Sequence, residues 1–172
     1  MVPPAAGEPQ PVKRSSPVSV RRILVPVDGS ESSRRAVRLA CQMATAFGAR
    51  VTLLHVIGIP EIPVLMGESD TPAEVERGQM VLAEAAGLAK SEGVEVGVEL
   101  GRGHVADQIL RLSDRLRPEL IVMGTRGYRG AKAVLLGSVS RAVSNRARAS
   151  VVLVRPIPAS RRSRNAPGRA RP

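Results

Sequence analysis

The run Gly124-Thr-Arg-Gly127, followed after nine residues by Gly137-Ser138, holds the residue types and spacing that point most directly to chemistry. It lies between two apolar runs, Leu120–Met123 and Val151–Val154, that read as strands. A glycine-rich loop leaving a strand and entering a helix can turn its backbone N–H groups onto phosphate oxygens. Glycine suits such a loop because a Cβ blocks the close approach and the positive-φ turns that the wrap needs. Ser138 falls at the mouth of the following helix, where a hydroxyl caps the helix or donates to an anion. Arg126, Arg129 and Lys132 lie inside the loop and either screen polyphosphate charge or form a solvated surface.

Asp28 follows a second apolar run in Val25-Pro26-Val27-Asp28-Gly29-Ser30. A carboxylate there can accept hydrogen bonds from ribose hydroxyls or hold a divalent cation through water. Asp-Gly-Ser is also strong turn chemistry, so a capping role competes. Opposite a phosphate loop the ligand role is favoured. Gly101-Arg-Gly103-His-Val-Ala106 imitates a dinucleotide fingerprint but follows an edge-like strand, so it reads as a tight turn into a helix. A Gly-x4-Gly-Lys-Ser/Thr P-loop is absent from the sequence. His55 and His104 are too isolated for a metal site or a catalytic triad and read as a strand residue and a helix-start residue. Cys41 sits on an apolar helical stripe and reads as packing.

The elements that must position these residues alternate along the chain. Ile23–Val27 is a first strand; Val37, Cys41, Ala44 and Phe47 then recur at helical spacing, with Gly48 ending the helix. Val51–Ile57 is a second strand, followed by a loop over 58–70. Thr71-Pro-Ala-Glu74 is a capping box with proline at the first helical position, and Val75, Leu82, Ala85 and Ala89 form that helix's inner face. Val94, Val96 and Val98 alternate with polar residues as in an edge strand. Val105, Ile109, Leu112 and Leu116 give a third helix, stopped by Pro118. The run at 120–123, the glycine loop, a helix from about Ser138 and a strand from about Ser150 complete the set. The pattern predicts an α/β fold: a five-stranded parallel sheet with helices on both faces. A flavodoxin-like order 3-2-1-4-5 then opens a crevice between strands one and four, with Asp28 and the Gly124 loop facing across it.

The glycine run also resembles the ATP-binding signature of the universal stress protein family, Gly-x2-Gly-x9-Gly-Ser/Thr, at all its fixed positions. The family pattern also has Pro and Asp at Pro26 and Asp28, and Leu53-Leu-His-Val56 looks like its second strand. The resemblance implies adenosine or phosphate contacts at Pro26, Val27, Asp28, Val56, Met123, Gly124, Arg126, Gly127, Gly130, Gly137, Ser138 and Val139. At Val56 the contact would run through the main chain to adenine. The implied cofactor is ATP with Mg2+ or Mn2+, Asp28 being the metal-side carboxylate. Family members commonly dimerise through the last strand, here 151–154, so a homodimer is expected.

Composition bounds the rest. The 172 residues are 43% apolar, with one Phe, one Tyr and no Trp, which implies an aliphatic core and gives little support to a flavin site. One cysteine excludes an internal disulfide. No signal-peptide pattern or membrane-length apolar run is present, so a cytoplasmic protein is expected. Of the net charge of +11, residues 1–22 hold +3 and residues 155–172 hold +6, leaving +2 between them. Residues 1–20 and 157–172 therefore read as disordered tails around a domain over 21–156, and Arg161-Arg-Ser-Arg164 as a solubilising tail or a loose tether to an anionic partner.

Phosphoryl transfer needs a base or water-orienting group beside the γ-phosphate, and none is evident apart from Asp28. The expected function is thus an ATP-binding regulatory or signalling module in stress response. Slow hydrolysis, or autophosphorylation at Ser138 or Ser140, is the enzymatic alternative. A scaffold tethered to nucleic acid by its tail is the other.

Overall fold

Strand and helix alternate throughout the computed structural model, which describes residues 19–58, 71–125 and 137–155. The order is β1 (Arg22–Pro26), α1 (Glu31–Phe47), β2 (Arg50–Gly58), α2 (Pro72–Ser91), β3 (Val96–Gly103), α3 (Val105–Leu116), β4 (Leu120–Gly124), α4 (Ser138–Arg146) and β5 (Ser150–Val154). The strands form one parallel sheet in the order β3-β2-β1-β4-β5, as the crossover argument predicts.

The period-two alternation of side chains splits the core into two layers. Ile23, Val25, Val51, Leu53 and Val122 pack on one face against Ala36, Val37, Ala40, Cys41 and Ala44 of α1 and Leu82, Ala85 and Ala89 of α2. Leu24, Leu54, Val56, Ile121 and Met123 pack on the other against Ile109 and Leu112 of α3 and Val143 of α4. Alanine at every fourth position of α1 lets that helix lie close to the sheet. Each fully buried Ile, Leu or Val contributes roughly 1.5–3 kcal/mol, so the two layers supply most of the driving force. Burial raises the pKa of the Cys41 thiol, in keeping with packing rather than reactivity.

Local chemistry sets the helix ends. Ser30 Oγ accepts from the Ser33 N–H at 3.2 Å to start α1, and Gly48 ends it at φ 67°. The Glu74 carboxylate accepts from the Thr71 N–H at 3.0 Å, as the capping box predicts. Leu116 is the last residue of α3, and Arg117 turns out of the helix at φ 48° ahead of Pro118.

At the start of the sheet, Glu119 ties β4 to β1. Its carboxylate accepts from the N–H groups of Arg21 and Arg22 at 2.9 and 2.7 Å and pairs with the Arg22 guanidinium at 3.0 Å. Burial pushes the Glu119 carboxyl up, but these donors together outweigh it and bring the group down to about 2.

Two expectations change. The edge strand begins at Val96 rather than Val94 and runs through Gly103, so Gly101 lies within the ladder, opposite Val56. The turn into α3 is confined to Gly103, at φ 114°, and His104. Phe47 is not in the core: it is 53% exposed, because the apolar stripe of α1 ends at Ala44 while the helix rotates onward.

Candidate functional site

β1 runs directly beside β4, while the chain between them passes through β2 and β3 on the other side. This reversal opens a crevice beyond the carboxyl ends of the strands. A cavity of about 550 Å³ lies there, within the roughly 300–1,000 Å³ usual for small-molecule sites. Pro26, Val27, Asp28, Val56, Met123, Gly124, Gly137, Ser138 and Val139 all border it. Arg126, Gly127 and Gly130, together with Arg129 and Lys132, lie outside the described residues.

The β1 end is held from two sides. The Val27 N–H donates to the Leu54 carbonyl at 2.8 Å, and the Val27 carbonyl accepts from His55 Nδ1 at 2.8 Å. A carbonyl only accepts, so Nδ1 carries the proton. Asp28 then makes the turn its local sequence predicts: Oδ1 accepts from the Ser30 N–H at 3.0 Å, and Gly29 takes φ 76°. The turn role and a place at the cavity are therefore both realised by one side chain.

The β4 end is held by close packing. A Cβ on Gly124 would lie 2.6 Å from Ser32 Oγ and 2.9 Å from Ser32 Cβ, so the first turn of α1 itself demands glycine at that position. This is a different cause from the phosphate approach expected from the sequence. One residue on, buried Thr125 donates its N–H to the Val154 carbonyl at 2.9 Å. Its own carbonyl accepts from the Gly137 N–H at 3.0 Å and from Ser140 Oγ at 3.3 Å. Thr125, at the end of β4, is thus tied directly to the start of α4.

Gly137, not Ser138, is the N-cap of α4, so the Ser138 hydroxyl does not cap the helix. Ser138 is exposed at the first helical position, where the positive end of the helix dipole meets the cavity. Ser140 is 2% exposed, with its hydroxyl engaged by backbone carbonyls, which disfavours it as a phosphate acceptor.

Thr125, Ser33, Leu54, His55, Val105 and Ile109 also line the cavity and escaped the sequence reading. His55 was legible only through its place beside Val56. The apolar contributors carry no chemical signature and enter through the topology. Asp28 is the carboxylate among the described lining residues, and no group of three or more His, Cys, Asp or Glu able to hold a metal occurs among the described residues. No described helix is long and apolar enough to cross a membrane.

The sequence model of the universal stress protein family matches residues 19–155. A universal stress protein of Methanocaldococcus jannaschii is 32% identical over 139 residues, covering 78% of this chain and 82% of the relative. Another from Thermus aquaticus is 33% identical over 142 residues, covering 78% and 98%. Among solved structures, the universal stress protein of Archaeoglobus fulgidus superposes with a TM-score of 0.65 at 26% identity, over 78% of this chain and 93% of that one. A universal stress protein crystallised in complex with cAMP gives a TM-score of 0.65 at 26% identity, over 81% and 99%. With the expected sheet order and a family match that spans both cores and the crevice, the chain belongs to the universal stress protein family.

Proposed function

We propose that this protein binds ATP in the cavity between β1 and β4 and serves as a nucleotide-dependent regulatory module of the stress response, its occupancy being the signal. The observation that carries this is convergence: the Asp28 turn, Val56, Gly124 and the start of α4 border one cavity of about 550 Å³. A helix N-terminus favours the phosphates, and the apolar wall of Leu54, Val56 and Ile109 suits a purine. A structural relative at 26% identity was crystallised with cAMP, which supports an adenine nucleotide as the ligand class.

The donor set fits a cation that arrives on the nucleotide, Mg2+ or Mn2+, held mainly by phosphate oxygens with Asp28 as the protein carboxylate. Asp28 and His55 already hold backbone groups at the mouth, which favours binding over turnover. A second copy pairing along β5, at the sheet edge, makes the homodimer, and light scattering at micromolar concentration reads it. The proposed setting is the cytoplasm.

The test is the nucleotide content of the purified protein, released by denaturation and resolved by ion exchange, beside Gly127→Ala/Gly137→Ala. ATP from the native protein that disappears from a variant with intact fold supports the proposal. ADP alone moves it towards hydrolysis. No nucleotide, and no binding of added ATP with magnesium, overturns it.

A further inference from the structure

At the opposite end of the sheet from the cavity, arginine precedes or opens four adjacent strands. Arg50 opens β2, Arg21 and Arg22 stand at β1, Arg117 precedes β4 and Arg148 precedes β5. All five are exposed. Their strand starts lie level: the Arg50 N–H donates to the Arg21 carbonyl, the Glu119 N–H to that of Arg22, and the Ser150 N–H to that of Glu119. With strands about 4.8 Å apart, the row spans roughly 14 Å.

Three features separate this row from ordinary surface charge. Arg22 and Arg50 are direct register partners, an arrangement of like charges that disfavours the sheet. Glu119 answers Arg22, but among the described residues no carboxylate pairs with Arg50, Arg117 or Arg148. Arg117 has φ 48°, the positive-φ residue other than glycine among those described, at a helix end where glycine is the easier occupant. α1 has glycine at the corresponding place, Gly48. Helix-dipole compensation accounts for Lys90, Arg115 and Arg146 in the last turns of their helices and contributes at Arg117 and Arg148, at or just past the ends of α3 and α4, but it does not account for Arg21, Arg22 and Arg50 at the starts of β1 and β2.

We propose that this arginine edge binds the phosphate backbone of single-stranded nucleic acid, independently of the nucleotide cavity. The guanidinium fork matches phosphate oxygens. The row is single-file, as a strand requires, and Phe47, exposed three residues before Arg50, offers a face on which a base can stack.

The test is fluorescence anisotropy of the full chain with a labelled oligothymidylate of about 20 nucleotides, between about 50 and 300 mM salt. Arg50→Gln/Arg117→Gly/Arg148→Gln should lower the slope of log affinity against log salt by about 2, at roughly 0.7 per lost phosphate contact. Arg117→Gly alone should weaken binding while raising the melting temperature, which a purely structural arginine would not do. Phe47→Ala should lose affinity by about 5-fold or more at unchanged slope. Arg161→Gln/Arg162→Gln/Arg164→Gln separates the tail, and the edge contribution should persist in that background. An unchanged slope in the triple edge variant overturns the proposal. So does an edge-dependent affinity for vesicles of anionic lipid with none for the oligonucleotide.

Discussion

Gly124→Ala tests whether the glycine beside the cavity is there for packing. The added Cβ lands 2.6 Å from Ser32 Oγ, 2.9 Å from Ser32 Cβ and 3.1 Å from the Ser32 carbonyl carbon. Two of these atoms belong to the side chain and one to the helix backbone, so rotation of the serine relieves only part of the clash. Overpacking of this kind costs about 1–3 kcal/mol. Gly124 is not among the positive-φ glycines, so the alanine also gains about 0.4–1 kcal/mol from a less mobile unfolded chain. The net expectation lies between no change and a loss of about 2.6 kcal/mol, read from urea midpoints at constant m-value.

The decisive measurement is the double-mutant cycle with Ser32. Ser32→Gly removes both offending side-chain atoms at about 0.5–1 kcal/mol for glycine in a helix. It should therefore recover at least about 1 kcal/mol when combined with Gly124→Ala, whereas Ser32→Ala, which keeps its Cβ, should recover less. If the two substitutions are simply additive, the packing argument is wrong. Nucleotide binding then separates the causes. Affinity restored along with stability means that Gly124 serves the fold. Affinity still lost in a repacked, stable double variant means that backbone approach by the ligand sets it.

Two further expectations follow from hydrogen bonds. His55→Leu leaves the Val27 carbonyl without its donor and should cost about 1–3 kcal/mol, while His55→Asn, which keeps a donor near the Nδ1 position, should recover much of it and His55→Gln should not; equal losses in all three would refute the bond's role. Glu119 falls from an ordinary 4.5 to about 2, so its contribution is present above about 4.5 and is lost as pH drops towards 2. With its side chain and that of Arg22 partly solvated, the effect is about 1–2 kcal/mol, and Glu119→Gln should flatten this acid limb of the stability curve.

Much of this architecture is legible in the sequence because it rests on local rules. Alternation of apolar runs and helical stripes gives the sheet, Thr71-Pro-Ala-Glu74 marks a helix start, and the glycine spacing marks the crevice. What escapes notice depends on contacts between distant residues. Nothing near Gly124 in the chain tells of Ser32, and nothing near Val27 tells of His55. Phe47 fits the helical period and still faces water, since periodicity does not show where the covering sheet stops. The strand through Gly103 was hidden by glycines that normally weaken strands but here pair on an edge. The arginine edge is invisible as a motif because its members are scattered and only the ladder aligns them.

The placement of β1 at the centre of the sheet also governs how the chain can be made. β1 finds β2 within about one helix of sequence, but its other edge waits for β4, where Ile23 pairs with Leu120. At about 5–20 residues per second, synthesis takes roughly 5–20 s to cover that interval. Throughout it, the apolar run Ile23-Leu24-Val25 of β1 presents an unpaired edge. The Glu119 carboxylate, bonded to the N–H groups of Arg21 and Arg22, then acts as the latch that registers the late strand against the early one.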